Sequence, residues 1–184
     1  MRTVAIIRCP GSGKTTLAQV LSDRLGVEHI ELDELYHGPN WTPTPRGEFS
    51  ARLRSRMEAA SSSGWVTCGN YVDALDALHL TAADTIVWLD LPRPLVMARV
   101  VRRTLSRALW RTQLWNGNRE PWSNFYRWNP EHNIVRWAWV EHPRYRRRYS
   151  DAVASGRWSD ATLHHLRSRA EVARFVQALP SGRA

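Results

Sequence analysis

The residues best suited to chemistry form the run Pro10-Gly11-Ser12-Gly13-Lys14-Thr15-Thr16. Their types and order suit a loop that wraps a chain of phosphates. The backbone N–H groups of Gly11, Ser12 and Gly13 can turn inward toward anionic oxygens. A helix opening at Lys14 adds partial positive charge at its amino end. Lys14 is a compact cation able to follow a moving phosphoryl group, and the Thr15 hydroxyl stands where such loops offer a ligand to Mg²⁺. Lys14 is also the only lysine of the chain, the other 25 basic residues being arginine.

One position departs from the pattern G-x-x-x-x-G-K-T. The first glycine is replaced by Arg8. A side chain there is strained if the loop needs a positive φ. Two readings stay open: Arg8 faces outward and leaves the loop intact, or it crowds the phosphates.

Further candidates follow along the chain. Asp33, in Ile30-Glu31-Leu32-Asp33-Glu34-Leu35-Tyr36, follows the second expected strand. A carboxylate there can take a proton from an acceptor hydroxyl, hold Mg²⁺ through water, or simply cap a short helix. Tyr36 on the same segment is a substrate-side candidate. Asp90 is either an outer Mg²⁺ acceptor or a helix cap. Arg99, Arg103 and Arg107 recur every four residues, so a helix carries them on one side, with Val96, Val100 and Leu105 as apolar neighbours. Such a stripe fits stabilisation of a transferring phosphoryl group. Arg119 lies in an irregular segment and is a candidate to arrive with a closing lid.

Composition narrows the class. With 184 residues and a hydrophobic fraction of 43% the chain suits one compact domain, 1–184. No apolar run reaches the length of a membrane span, no signal peptide is recognisable, and two cysteines, Cys9 and Cys68, do not make a disulfide framework. A reducing cytoplasm is expected, and no membrane partner. The net charge of +9 is concentrated: the segment 93–149 holds 13 arginines against Glu120, Glu131 and Glu141. That excess suits polyphosphate, nucleic acid, or a plain solvated surface. Six of the 10 tryptophans fall between Trp110 and Trp139, where they either stack bases or pack a small lid. His164 and His165 receive no role.

Positioning these residues requires strands that alternate with helices. Strands are expected at Thr3–Ile7, His29–Leu32, Trp65–Cys68, Asp84–Leu89 and Thr162–Leu166. Helices are expected from Lys14 to a stop at Gly26, over Glu48–Ser62, from Pro94 to about Arg111, over about Ile134–Ser155, and after a capping box at Ser168 and Glu171. Gln113 to Asn133 reads as irregular, with Gly117, Pro121 and Pro130 as breakers, and about 107–133 as a lid insertion. The alternation specifies an α/β fold with a parallel sheet covered by helices on both faces. Asp33, Gly69-Asn70-Tyr71 and Asp90 then share the rim of the sheet with the loop.

The loop, the Leu32-Asp33 strand end, Trp65-Val66-Thr67-Cys68-Gly69-Asn70-Tyr71 and Ala83-Asp84-Thr85-Ile86-Val87-Trp88-Leu89-Asp90-Leu91-Pro92 occur in an order that resembles adenylate-kinase-like P-loop proteins, above all those known as DNA topology modulation proteins. The resemblance spans nearly the whole chain. It implies a P-loop three-layer sandwich of nucleoside-monophosphate-kinase type, with a five-stranded parallel core and an arginine-bearing, tryptophan-rich lid. It also implies ATP with Mg²⁺ and a small-molecule phosphate acceptor. By analogy Gly69, Asn70 and Tyr71 face that acceptor, with Arg99 beside it. Cys68 stands where the family pattern suggests aspartate. The alternative is a nucleic-acid-binding NTPase, or a regulatory nucleotide-binding module with weak catalysis.

Overall fold

The computed structural model describes residues 1–71, 78–126 and 133–180. In chain order the elements are β1 (Thr3–Ile7), α1 (Lys14–Leu25), β2 (Glu28–Glu31), α2 (Leu32–Tyr36), α3 (Arg46–Ala59), β3 (Trp65–Cys68), α4 (Leu78–Thr81), β4 (Thr85–Leu89), α5 (Arg93–Leu109), α6 (Ser123–Tyr126), α7 (Ile134–Ala154), β5 (Thr162–Leu166) and α8 (Arg169–Gln177). The five strands are parallel and ordered β2-β3-β1-β4-β5. The loop after β1 therefore leaves the sheet at its centre, between the ends of β3 and β4, where open parallel sheets place their ligands.

Strand composition explains the layers. β1 is apolar on both faces, as a strand covered from both sides must be. Ala5 and Ile7 pack with Phe49 and Leu53 of α3 and Tyr149 of α7. Val4 and Ile6 pack with Leu17, Ala18 and Leu21 of α1, joined by Val172, Phe175 and Val176 of α8. The period of two along one strand thus feeds two helical layers.

Several expectations hold in detail. Gly26 ends α1 at φ 66°, its N–H donating to Ser22 at 2.9 Å. Ser168 accepts from the Glu171 N–H at 3.1 Å, and Glu171 returns a bond to the Arg167 N–H at 2.7 Å. α7 runs through Pro143. A proline there leaves the carbonyl four residues earlier without a helical donor. That carbonyl belongs to Trp139, and Arg93 supplies the donor at 2.6 Å while its guanidinium lies 3.5 Å over the Trp139 ring.

Other expectations shift. The second strand ends one residue early, because Leu32 turns into α2, with Asp33 and Glu34 in its first, anion-favouring turn. The short helices α4 and α6 fall where no helix was expected, four residues being too few to show a period. Leu105 lies on the exposed side of α5, whereas Val96 and Val100 are buried. Part of the lid segment, 127–132 with Pro130, lies outside the described residues.

Candidate phosphate-binding cleft

The loop is shaped by two glycines in the left-handed region, Gly11 at φ 80° and Gly13 at φ 94°, the latter preceding α1. Gly11 also has no room for a side chain. A Cβ there would meet the Val100 side chain, and the Val96 carbonyl at 2.9 Å, because α5 packs directly on the loop. Lys14 folds back over this turn, its Nζ donating to the carbonyls of Arg8 at 2.6 Å and Cys9 at 3.2 Å. Burial lowers the Lys14 pKa, and the carboxylate of Asp33 opposes that shift. The Ser12 hydroxyl is buried inside the turn with no partner among the described residues. A bound anion would supply one, so the donor set fits a phosphate group.

Arg8 does not crowd the phosphate loop, and it faces the protein interior rather than solvent. It is fully buried, at φ 155°. Its guanidinium runs under the end of β4, donating to the carbonyls of Leu89 at 2.8 Å and Leu91 at 2.9 Å and pairing with the Asp90 carboxylate and the His142 ring. Its N–H donates to the Asn70 side-chain oxygen at 3.0 Å. It therefore points away from the inside of the loop.

The same geometry corrects Asp90. Its side chain, 2% exposed, pairs with Arg8, with Arg146 of α7 at 3.2 Å and with His165 of β5 at 3.1 Å. It does not line the cleft, and α5 starts after Pro92 instead. Asp90 is thus neither an outer metal acceptor nor the helix cap. His165, given no role from sequence, completes this network and stacks on Trp88 at 3.8 Å.

Asp33 does face the loop across the cleft. Tyr71 donates to its carboxylate at 2.6 Å and lies 3.2 Å from His37 Nε2. Burial, then Asp33, raises the Tyr71 pKa, so the phenol stays a donor. Burial lowers the His37 pKa, with Asp33 opposing. Tyr36 lines the same wall, its ring 4.4 Å from Tyr71 and 5.4 Å from Phe49. Gly69 has no room for a Cβ, which would lie 2.6 Å from that of Leu32. Asn70 lines the cleft, yet its oxygen is spent on the Arg8 N–H and, at 3.3 Å, the Tyr149 hydroxyl.

Sequence reasoning missed Glu31. It lines the cleft beside Asp33, and burial, reinforced by Asp33, pushes its pKa up to about 7, against hydrogen bonds from Cys68 and Thr15. The signal was present: a second carboxylate beside the apolar Ile30 and Leu32, two residues before Asp33.

The arginine stripe meets the cleft as expected. Arg99, Arg103 and Arg107 all line it, joined by Arg102 and Arg169. Arg99 donates to the Ser12 carbonyl at 3.1 Å. Burial, then Arg107, lowers the Arg103 pKa, while Glu120, Asp33 and Glu31 oppose. Arg107 lies 3.5 Å from Glu120. Arg119 is different: its side chain is exposed and off the cleft, and its carbonyl accepts from Trp41 at 3.1 Å. The segment around Arg119 meets the opposite wall through both polar and aromatic side chains. Asn118 accepts from the Trp41 N–H at 2.9 Å and donates to the Gly38 carbonyl at 2.9 Å. Asn116 donates to the carbonyls of Glu34 at 3.1 Å and His37 at 2.6 Å. Trp115 stands near-parallel to His37, with Trp41 edge-on to both. These rings pack the lid against the wall.

The cleft holds about 2480 Å³. That exceeds the roughly 300–1,000 Å³ of a single small-ligand pocket, leaving room for two ligands between loop and wall.

This architecture recurs in solved structures. A sugar kinase from a Janibacter species is 18% identical with a TM-score of 0.52, covering 96% of this chain and 93% of that one. Deoxyadenosine kinase from M. mycoides, solved with dCMP and dCDP, is 13% identical with a TM-score of 0.52, covering 95% and 94%. Shikimate kinase from Acinetobacter baumannii is 16% identical with a TM-score of 0.49, covering 96% and 89%. By sequence the chain matches no family model and no curated protein. The fold is that of the P-loop kinases, a five-stranded parallel sheet between helices. These neighbours give no support to the DNA-topology branch of the resemblance or to a nucleic-acid partner. No helix among the described residues is long and apolar enough to cross a membrane.

Proposed function

We propose that the chain is an ATP-dependent phosphotransferase acting on a small acceptor that carries a hydroxyl group, a nucleoside, nucleotide or similar molecule. One observation carries this reading: the loop with Lys14 and the carboxylate of Asp33 face each other across one cleft large enough for two ligands. The amides of Pro10–Thr16, where present, and Lys14 would hold the β- and γ-phosphates. The Thr15 hydroxyl and, through water, the Asp33 carboxylate are hard oxygen donors that suit Mg²⁺. When bound, that ion neutralises charge on the phosphates.

In the transfer, the acceptor oxygen forms a bond to the γ-phosphorus, the bond to the β–γ bridging oxygen breaks, and the acceptor proton passes to Asp33. Tyr71 orients that carboxylate, and His37 lies against the same phenol. Arg103 and Arg107 supply positive charge beside the moving group. Burial makes Arg103 effective there, because a charge with little water around it is weakly screened.

The test is ADP formation over a panel of acceptors, starting with sugars and deoxynucleosides because two solved structures of this fold are kinases of those classes. At least one acceptor is expected to raise ADP release well above the rate with ATP alone. ATP binding with no acceptor-dependent ADP anywhere on the panel would overturn the reading.

A further inference from the structure

We propose that His29, Glu31 and Cys68 form a binding site for a divalent transition metal ion, Zn²⁺ foremost. The three side chains come from neighbouring parallel strands. Glu31 of β2 is in register with Cys68 of β3, and His29 lies two residues before Glu31, hence on the same face. Cys68 is buried, while His29 and Glu31 are partly buried, their side chains 16% and 11% exposed.

The donor atoms already form a compact triangle. His29 Nε2 lies 3.3 Å from Cys68 Sγ, Cys68 Sγ lies 3.2 Å from a Glu31 oxygen, and the other Glu31 oxygen lies 3.9 Å from His29 Nε2. With Zn–S near 2.3 Å and Zn–N or Zn–O near 2.0–2.2 Å, one face of a tetrahedral site separates its donors by about 3.3–3.6 Å. Small rotamer adjustments therefore suffice. A nitrogen, a thiolate and a carboxylate favour Zn²⁺ and its neighbours over Mg²⁺, which takes oxygen.

Three protein ligands leave a fourth position open, the arrangement of metal sites that bind an exchangeable ligand. The Thr15 hydroxyl lies 3.9 Å from Cys68 Sγ, so the cluster adjoins the phosphate loop. On binding, the Cys68 thiol loses its proton to solvent and its sulfur bonds the metal. The Cys68-to-Glu31 hydrogen bond is given up in exchange. No oxidation is involved.

The test uses the full chain, stripped with a strong chelator and then titrated with Zn²⁺ in competition with a chromophoric chelator. One ion per chain is expected, retained in a large excess of Mg²⁺. Co²⁺ in its place is expected to give the near-ultraviolet thiolate-to-metal band and the visible bands of a tetrahedral site. Cys68→Ser is expected to abolish the thiolate band and weaken Zn²⁺ by more than about 100-fold, the upper end of what an outer partner of a metal ligand contributes. His29→Gln, at a half-buried position that the fold tolerates more readily, is expected to weaken it comparably, with thermal unfolding of the metal-free variants reporting that both are folded. Failure to retain Zn²⁺, a Co²⁺ spectrum without the thiolate band, or unchanged affinity in His29→Gln would each overturn the proposal.

Discussion

The guanidinium of Arg8 is buried against the carboxylate of Asp90, tying the first residue of the phosphate loop to the end of β4. Removing one member of such a pair costs about 3–5 kcal/mol, because the other charge is left in a poorly solvating interior. Arg8→Gly restores the loop pattern but leaves Asp90 with Arg146 and His165 alone. It is expected to lose stability at the low end of that range, measured as a lower urea midpoint. Asp90→Asn in the Arg8→Gly background is expected to recover part of the loss. A single variant as stable as the parent would show that the pair contributes nothing.

The loop was the most legible part of the site because its chemistry is local. Pro10 to Thr16 are contiguous, and the strand before and helix after announce themselves by apolar period. Arg99, Arg103 and Arg107 were legible for the same reason, helical spacing being a short-range property. Asp90 was not. Its partners are 82, 56 and 75 residues away in sequence, and sequence alone does not say that Arg8, Arg146 and His165 converge on it. Asn118 and Asn116 were equally hidden, since an asparagine in an irregular segment reads as a turn residue. Glu31 was missed because β2 ends on it and the chain turns at once into α2, a boundary that apolar period does not mark.

On the phosphotransferase reading, Asp33 and Lys14 separate binding from chemistry. Lys14→Ala removes a cation from the loop while Asp33 stays in place. It is expected to weaken ATP by about 10–150-fold, the equivalent of the roughly 1.5–3 kcal/mol of a hydrogen bond to a charged group. Asp33→Asn keeps an acceptor for the Tyr71 hydroxyl but cannot take a proton. It is expected to bind ATP normally and lose about 10²–10⁴-fold in acceptor-dependent kcat. Calorimetry with ATP and an ADP-coupled assay on the same preparations give both numbers. An Asp33→Asn variant that retains full turnover would remove the proton-accepting role.

His79 sets an acid limit on stability. It is 1% exposed on α4, and neither ring nitrogen has a partner among the described residues. Burial pushes its pKa from 6.5 down to about 4. A histidine with a depressed folded pKa binds its proton first in the unfolded chain. Its effect on stability is absent above pH 6.5 and grows unfavourable as pH falls toward 4. A shift of that size corresponds to about 3 kcal/mol when complete. His79→Leu is expected to flatten the fall in the urea midpoint between pH 6.5 and 4. An unchanged pH profile would assign the acid sensitivity to other groups.

Asn118 tests whether the lid contact controls water. Its side chain is 4% exposed as a residue and answers two backbone groups on the opposite wall, the Trp41 N–H and the Gly38 carbonyl. Asn118→Ala leaves both without that partner, at a cost of about 1–3 kcal/mol for a group that stays buried. On the phosphotransferase reading with this segment as a closing lid, the loss is greatest when it is shut, so the variant favours opening. An open lid admits water to the phosphates. On the phosphotransferase reading, acceptor-independent ADP release is therefore expected to rise while acceptor-dependent turnover falls, and the ratio of the two rates is the quantity to follow. Asn118→Asp retains the acceptor for Trp41 but loses the donor to Gly38, so its ratio is expected to lie between parent and alanine variant. If both rates fall together in Asn118→Ala, the residue supports the wall as a whole and does not gate water.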